Sequence, residues 1–356
     1  MNFGPAVPAP SGAEPPAGGR RARQRAGGEL GRRGLLLGAA AAGLGGCLDF
    51  HAGSVAAEPK GSTFAKIEGA RIHYVDRGEG PPVLLVHGFA SSLNTWRGVM
   101  KALEPKHRVI ALDLKGFGLS DRPPGDYSPA AEAAILLGLL DHLGVKEPVR
   151  LVAHSWGSSV ALRFTLLHPE RVERIALYDA WVYESQLPTT FLWSRADGLG
   201  EMLIGAFYDE RPDDKMAIAF YDKSYVTEEL VESVEEQLDR PGTKAAALAA
   251  IRGQRFSEVE KLYKNIDKPA LLLWGREDRV TTLEFGERLS KELKRARLVV
   301  YPQCGHFPMI EAATPSTRDL VEFVEQGAAP ATAPPVAPAP NPKPAAAPEE
   351  PKKEAP

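Results

Sequence analysis

The stretch L-V-A-H-S-W-G, residues 151–157, decides the fold of this chain. A continuous apolar run ends at this point, and a helical pattern begins just after Ser155, which places the serine on a sharp turn between a strand and a helix. Gly157 supplies the small residue that such a turn needs, while Ala153 stands where glycine is more usual. The turn lifts the serine hydroxyl above the edge of a sheet, so Ser155 is predicted to be a catalytic nucleophile.

Short apolar runs alternate with helical patterns on both sides of this turn, from about residue 63 to residue 325. Several runs are continuously apolar, such as V-L-L-V at 83–86 and A-L-L-L-W at 270–274, which is typical of strands buried on both faces of a parallel sheet. The predicted strands are Arg71–Val75, Pro82–Val86, Arg108–Leu112, Arg150–Ala153, Arg174–Tyr178, Ala270–Trp274 and Arg297–Tyr301. The predicted helices between them are Pro129–Leu143, Gly157–Leu167, Leu283–Lys294 and Ser316–Gln326. This alternation predicts an α/β fold with a doubly wound, mostly parallel sheet.

The alternation stops between Trp181 and Ile266, where the sequence is mostly helical and rich in aromatic residues. An insertion of this length between two strands predicts a helical cap, at about residues 181–266, over the carboxyl edge of the sheet. Open α/β folds bind their ligands at that edge. The folded domain, cap included, is predicted to span residues 63–326.

The motif V-H-G-F-A-S-S, residues 86–92, follows another predicted buried strand. A glycine-containing turn there can point backbone N–H groups into a cleft, as an acyl-transfer reaction requires at its developing oxyanion. The Phe89 and Trp156 N–H groups are predicted to form this oxyanion hole. His87 precedes the nucleophile in the chain and is expected to brace the loop through hydrogen bonds, with a role as catalytic base as the alternative.

The motif A-L-L-L-W-G-R-E-D-R-V, residues 270–280, supplies the predicted acid. Asp278 follows a buried strand at the carboxyl edge, where a carboxylate can hold a histidine in the correct tautomer. Glu277 is adjacent and is expected to point elsewhere. Asp179, which follows the strand Arg174–Tyr178, reaches the same edge and is the alternative acid.

The motif Y-P-Q-C-G-H-F-P, residues 301–308, supplies the predicted base. His306 follows the last predicted strand and comes after Ser155 and Asp278, an order of nucleophile, acid and base that is typical of one class of α/β enzymes. Cys304 lies two residues away, but no base accompanies it, so it is expected to be a packing residue.

Composition excludes several other classes of protein. The chain has 356 residues, with 43 Lys and Arg against 46 Asp and Glu, so no basic field indicates a nucleic-acid partner. Its two cysteines are too few for a disulfide scaffold, and no cluster has metal-ligand spacing. Neither a metal nor an organic cofactor is predicted.

The first part of the chain, residues 1–48, is predicted to be a leader segment. Arg32 and Arg33 precede an apolar run, Gly34–Leu48, of 15 residues, which is shorter than the roughly 20 that a membrane-spanning helix needs. The run resembles a twin-arginine signal, and its ending L-G-G-C resembles a bacterial lipobox in which Cys47 becomes lipidated. Export as a periplasmic or membrane-anchored lipoprotein is therefore predicted. The alternative is a disordered leader on a cytoplasmic protein.

Two further segments flank the predicted domain. Residues 49–62 are interpreted as a linker. Residues 327–356 are nearly all Ala and Pro before closing Glu and Lys residues, and such a composition cannot bury enough apolar surface to offset the entropy of ordering it. This tail is predicted to be disordered.

From about Phe64 to Val324 the chain resembles the α/β-hydrolase family with a helical cap. The motifs that carry the resemblance are H-G-F-A-S-S (87–92), D-L-K-G-F-G-L-S-D-R-P (113–123), A-H-S-W-G (153–157), G-R-E-D-R-V (275–280) and C-G-H-F (304–307). Among groups of that family, epoxide hydrolases and haloalkane dehalogenases use an aspartate nucleophile, and carbon–carbon bond hydrolases tend to have more glycines where this chain has Phe89 and Ala90. The resemblance therefore implies a serine esterase acting on a small to medium carboxylic ester.

Two kinds of alternative stay open at this point. The same triad can serve perhydrolysis of the haloperoxidase type or hydrolytic carbon–carbon cleavage. A different class of function is a small-molecule receptor built on a hydrolase scaffold, because one fold hosts many functions.

Overall fold

The computed structural model describes residues 58–208 and 212–326. The predicted leader, Cys47 and the predicted tail at 327–356 lie outside these residues. In the described ranges, no helix combines the length and the apolar character needed to cross a bilayer. The strands are β1 (Thr63–Ile67), β2 (Ala70–Arg77), β3 (Pro82–Val86), β4 (Arg108–Leu112), β5 (Val149–His154), β6 (Val172–Tyr178), β7 (Ala270–Gly275) and β8 (Ala296–Tyr301). The α-helices are α1 (Arg97–Leu103), α2 (Pro129–His142), α3 (Trp156–Leu167), α4 (Thr189–Ser194), α5 (Leu199–Phe207), α6 (Pro212–Ala219), α7 (Glu228–Leu238), α8 (Thr243–Gly253), α9 (Leu283–Glu292), α10 (Pro308–Glu311) and α11 (Ala313–Glu325).

The strands form one eight-stranded sheet in the order β1-β2-β4-β3-β5-β6-β7-β8. Strands β3 to β8 run parallel to one another, whereas β2 pairs antiparallel with both β1 and β4. Each of the seven predicted strands is present. The edge strand β1 was missed because its five residues follow neither a continuous apolar run nor a long alternation. A two-residue turn at Glu68 and Gly69, both with positive φ, joins it to β2.

The sheet has a separate apolar core on each face. Along β3, Leu84 and Val86 belong to one core, and Val83 and Leu85 belong to the other, because successive side chains of a strand point to opposite faces. Helices α2, α3 and α9 cover the first core, and α1 and α11 cover the second. Helices on both faces of a mostly parallel sheet confirm the predicted doubly wound fold.

The helical insertion lies between β6 and β7 and contains α4 to α8. Its small apolar cluster consists of Ile204, Leu248 and Ile251, against which Phe89 of the core packs. The cap predicted from the break in alternation is therefore present in the fold. It places α5 and α8 next to the loop that follows β3, at the carboxyl edge of the parallel strands.

Candidate active site

Ser155 lies at the junction between β5 and α3 in a strained conformation. Its φ is 51° and its ψ is −124°, a combination that few non-glycine residues adopt. Two backbone hydrogen bonds hold it there: the Ser155 N–H donates to the Tyr178 carbonyl at 2.9 Å, and the Ser155 carbonyl accepts from the Trp181 N–H at 3.0 Å. The serine therefore stands at the start of a helix, on the edge of the sheet that the cap covers.

Gly157 is required by the closeness of the strand that lies beside this turn. A Cβ atom at this position would lie 2.3 Å from the His87 carbonyl oxygen and 2.8 Å from that of Val86, both far inside van der Waals contact. Ala153, by contrast, is fully buried in the apolar core and fits there. The methyl group in place of the more usual glycine is therefore compatible with the turn.

Asp278 and His306, which lie 28 residues apart in the chain, form a hydrogen bond. The imidazole Nδ1 lies 2.8 Å from Asp278 Oδ2. The other partners of the carboxylate are the Val280 and Thr281 N–H groups, at 2.7 and 3.0 Å, and the Thr281 hydroxyl, at 2.6 Å. Although burial works to raise it, the pKa of Asp278 is held below its ordinary value by His306 and by these hydrogen bonds. An ionised carboxylate at Nδ1 orients the imidazole with Nε2 free to take a proton.

Asp179, the alternative acid, also lies at this site, but its hydrogen bonds and the direction of its pKa shift differ from those of Asp278. Its left-handed backbone (φ 42°) follows β6, and its Oδ1 accepts from the Gly275 N–H at 2.9 Å. Its Oδ2 is buried and has no hydrogen-bond partner in the described residues. Burial, followed by the charge of Asp278, raises the pKa of Asp179 well above its ordinary value. The surroundings of the pair therefore favour ionisation of Asp278 over ionisation of Asp179.

Ligand atoms of Asp179, Asp278 and His306 all lie within 4.8 Å of one another. Two carboxylates and an imidazole at this spacing can in principle ligate a metal ion. Here Asp278 and His306 are joined directly by a hydrogen bond, and burial raises the pKa of Asp179. The arrangement is that of an imidazole–carboxylate pair with a second buried carboxyl beside it.

The predicted oxyanion donors are the backbone N–H groups of Trp156, which follows Ser155 in the chain, and of Phe89, which lines the same cavity as Ser155. Trp156 is the first residue of α3, so its N–H has no intrahelical acceptor. The Phe89 N–H has no acceptor in the described part of the chain. The two residues pack against each other, with ring centroids 6.1 Å apart. Free donors beside a nucleophile are what an oxyanion hole requires.

His87 is fully buried, and both of its ring nitrogens face backbone groups. Nδ1 lies 2.7 Å from the Gly88 carbonyl, and Nε2 lies 2.9 Å from the Leu114 N–H. This pattern corresponds to a neutral ring with the proton on Nδ1, and burial lowers the pKa of His87. The ring braces the loop, as expected from the sequence, and is not placed to act as a base.

Two residues near His306 occupy the places expected from the sequence. Glu277 points away from the imidazole, with its Oε2 accepting from the Cys304 N–H at 3.1 Å. Cys304 is fully buried in the second apolar core, and burial raises the pKa of its thiol. The thiol is thus held as an unreactive packing group.

Sequence reasoning missed the residues that hold the His306 loop in place. Glu311 accepts from the Gly305 N–H at 2.8 Å and from the Tyr221 N–H of the cap at 2.8 Å. The His306 N–H itself donates to the Ala219 carbonyl, at the end of α6, at 2.6 Å. The only sequence signal was the glutamate five residues after the histidine. The cap is thus hydrogen-bonded directly to the backbone of the predicted base.

A cavity of about 890 Å³ lies between the sheet edge and the cap, and both Ser155 and His306 line it. Four of the aromatic residues of the insertion face it: Trp181, Phe191, Tyr208 and Phe220. Others belong to the core; Tyr183, for example, is fully buried against the first core. Much of the remaining wall is aliphatic, from residues such as Leu203, Ile204 and Val234 of the cap. The cavity is therefore an apolar chamber with the reactive groups at its floor.

A serine on a strand-to-helix turn, next to an imidazole–carboxylate pair, is characteristic of serine hydrolases. Comparison with known proteins agrees with this class. A model of the alpha/beta hydrolase fold matches residues 81–313, and the chain belongs to that family.

Relatives and solved structures include enzymes of two kinds. The chain is 33% identical over 261 residues to the 2-hydroxy-6-oxo-2,4-heptadienoate hydrolase of Pseudomonas putida, covering 70% of this chain and 91% of that protein. It is similar to a solved meta-cleavage product hydrolase of Pseudomonas fluorescens, with 29% identity, a TM-score of 0.63 and coverage of 74% and 97% of the two chains. It is equally similar to a thermophilic esterase from Thermogutta terrifontis, with 26% identity, a TM-score of 0.64 and the same coverage. The protein is accordingly a hydrolase, and the bond that it cleaves is a separate question.

Proposed function

We propose that this protein hydrolyses a small to medium carboxylic ester through an acyl-enzyme on Ser155. The observation that carries the proposal is the Asp278–His306 hydrogen bond at the floor of a cavity that Ser155 also lines. In this assignment His306 is the general base, Asp278 orients it, and the Phe89 and Trp156 N–H groups bind the oxyanion.

The reaction follows from these positions. His306 Nε2 takes the Ser155 proton while the serine oxygen attacks the ester carbonyl, and Asp278 stabilises the imidazolium. The two N–H donors hold the oxyanion, each contributing about 3 kcal/mol to transition-state stabilisation. Collapse of the intermediate transfers the proton from His306 to the departing alcohol. Water activated by His306 then releases the acid and restores Ser155.

The apolar lining of the cavity favours a substrate whose reacting carbon is attached to an uncharged group. Arg97 and Glu229 are the only Asp, Glu, Lys or Arg residues among the described lining residues, and both are exposed. Apolar walls favour an alkyl or aryl acyl chain, whose burial contributes about 25 cal/mol per Å². A cavity of about 890 Å³ lies within the range of small-molecule sites.

Hydrolytic carbon–carbon cleavage is the second candidate, because of the similarity to the 2-hydroxy-6-oxo-2,4-heptadienoate hydrolase. A molecule of that name contains no ester, so its hydrolysis must break a carbon–carbon bond. The same nucleophile, base and oxyanion donors can serve a ketone carbonyl. The structure and the comparisons support carbon–carbon cleavage and ester cleavage alike, because both reactions use the same triad.

The discriminating experiment uses purified protein with p-nitrophenyl esters of increasing acyl length and, in parallel, a 2-hydroxy-6-oxo dienoate. Ester turnover with a maximum at a short or medium chain, and fluorophosphonate labelling of Ser155, would support the proposal. A kcat/KM far higher for the dienoate than for the esters would favour carbon–carbon cleavage as the function instead. Saturable binding of small molecules without turnover of either would refute both and favour a receptor.

A further inference from the structure

A buried histidine stands directly before the nucleophile. His154 is the last residue of β5 and precedes Ser155 in the chain. It is not one of the described residues that line the catalytic cavity, so a substrate held there has no contact with its ring. Any part that His154 plays in the reaction must therefore run through another residue.

The imidazole of His154 is hydrogen-bonded to the loop that carries the predicted base. Its Nε2 lies 2.8 Å from the backbone carbonyl oxygen of His306, a residue 152 positions further along the chain. Because a carbonyl oxygen only accepts hydrogen bonds, Nε2 must carry a proton and donate it to this bond. Burial, followed by the charge of His306, lowers the pKa of His154 well below its ordinary value. The surroundings thus favour a neutral ring with its proton on Nε2.

The ring of His154 is also packed on both sides. Its centroid lies 4.7 Å from that of His306 and 4.8 Å from that of Phe307, and Phe220 of the cap stacks on Phe307 at 4.9 Å. On the other side, a Cβ atom at Gly88 would lie only 3.1 Å from His154 Nδ1. The ring therefore has little room to turn away from the His306 carbonyl.

Separate parts of the fold hold His306 through different atoms. Its Nδ1 faces Asp278, which follows β7, and its backbone N–H donates to the Ala219 carbonyl of the cap at 2.6 Å. Its backbone carbonyl accepts from His154, at the end of β5. Of these three bonds, only the one from His154 comes from the strand that leads into Ser155. That bond thus joins the base to the element that carries the nucleophile.

We propose that His154 is a positioning residue, whose hydrogen bond to the His306 carbonyl fixes the imidazole of the base relative to the Ser155 hydroxyl. The role rests on the proposed function, in which His306 activates Ser155. A catalytic group must be held close to its productive geometry, and a displacement of about 1 Å can cost on the order of 100-fold in rate. Because His154 does not contact the cavity, its loss is expected to lower kcat and to leave KM nearly unchanged.

Two amide variants of the full-length protein test the hydrogen bond itself. The amide nitrogen of glutamine lies as many bonds from Cα as Nε2 of histidine, so His154→Gln can still donate to the His306 carbonyl. The amide nitrogen of asparagine corresponds to Nδ1, so His154→Asn leaves that carbonyl without its donor. The measured quantity is the second-order rate of fluorophosphonate labelling of Ser155. We expect it to fall about 10- to 100-fold in His154→Asn and less than about threefold in His154→Gln. His142→Asn, at an exposed position at the end of α2, is the control and should be labelled at the native rate.

A double-mutant cycle tests whether His154 acts through the base. In a His306→Ala background, His154→Asn should slow the residual labelling by less than about twofold, because the group that it positions is already absent. With p-nitrophenyl butyrate, His154→Asn should lower kcat while KM stays within about twofold of the native value. Labelling of His154→Asn at the native rate, equal losses in the Asn and Gln variants, or an undiminished loss in the His306→Ala background would overturn the proposal, with folding checked by circular dichroism.

A measurement without turnover separates the failure of this inference from the failure of the proposed function. If the native protein is not labelled by a fluorophosphonate, the proposed function fails. Proton NMR of the His306 Nδ1–H, which faces Asp278, then decides the positioning role. We expect its downfield resonance in the native protein and in His154→Gln, and its loss through exchange with water in His154→Asn. A resonance that persists unchanged in His154→Asn would overturn the role of His154.

Discussion

Exchange of the triad acid for its amide is the sharpest test of the proposed site. Asp278 accepts four hydrogen bonds: Oδ2 faces His306 Nδ1 and the Thr281 hydroxyl, and Oδ1 faces the Val280 and Thr281 N–H groups. In Asp278→Asn the single remaining oxygen is retained by the two backbone donors. The amide NH₂ then faces the imidazole and donates to it, so the imidazole proton moves to Nε2.

This tautomer cannot accept the Ser155 proton, because Nε2 already carries one. We therefore expect kcat to fall by about 10⁴-fold, which corresponds to about 5.5 kcal/mol of transition-state stabilisation. Asp179→Asn is the matched control. The pKa of Asp179 is raised in the fold, which favours its neutral form, and an asparagine oxygen can still accept from the Gly275 N–H. Its kcat should fall by less than about tenfold.

The assay is steady-state hydrolysis of an activated ester by both variants, with thermal unfolding measured alongside. Ser155 should still react with a fluorophosphonate in Asp179→Asn and should react far more slowly in Asp278→Asn. A greater loss of kcat in Asp179→Asn than in Asp278→Asn would refute the reasoning. It would place the acid after β6 and would mean that Asp179 is the ionised member of the pair.

Four further predictions concern other parts of the chain. Ser155→Ala should abolish turnover and fluorophosphonate labelling while the melting temperature is retained. In the native protein treated with a fluorophosphonate, an adduct found by mass spectrometry on a serine other than Ser155 would contradict the assignment. Gly157→Ala should destabilise the fold by more than about 2 kcal/mol in urea unfolding, because its Cβ would lie 2.3 Å from the His87 carbonyl oxygen; unchanged stability would show that the strand can move aside. Because the pKa of Asp179 is raised in the fold, its protonated form contributes stability at low pH that is lost as pH rises through that pKa. The decline should be smaller in Asp179→Asn than in the native protein, and an identical pH profile of unfolding would contradict the raised pKa. We also propose export with a lipid on Cys47: in a bacterial host, Cys47→Ala should abolish lipid labelling and membrane association, and full-length soluble protein in the cytoplasm would refute it.

Local pattern predicted seven of the eight strands and the candidate chemistry. Continuous apolar runs such as Pro82–Val86 identify strands buried on both faces, because polar side chains are costly on either face of a sandwiched sheet. The L-V-A-H-S-W-G turn predicts the nucleophile, because a serine between a buried strand and a helix has its hydroxyl lifted above the sheet edge. The antiparallel edge strand β1 was missed, since one solvated edge imposes little constraint on composition.

Only the tertiary structure decided between groups that the chain places at the same edge. Asp179 and Asp278 both follow buried strands, and the sequence left both open as the acid. In the structure Asp278 hydrogen-bonds to His306, whereas burial and the charge of Asp278 raise the pKa of Asp179. These two differences favour Asp278 as the acid. The sequence also could not show which cap aromatics face the cavity. Burial and electrostatic coupling depend on contacts between residues about a hundred positions apart, as between Asp179 and Asp278, and no local pattern encodes such contacts.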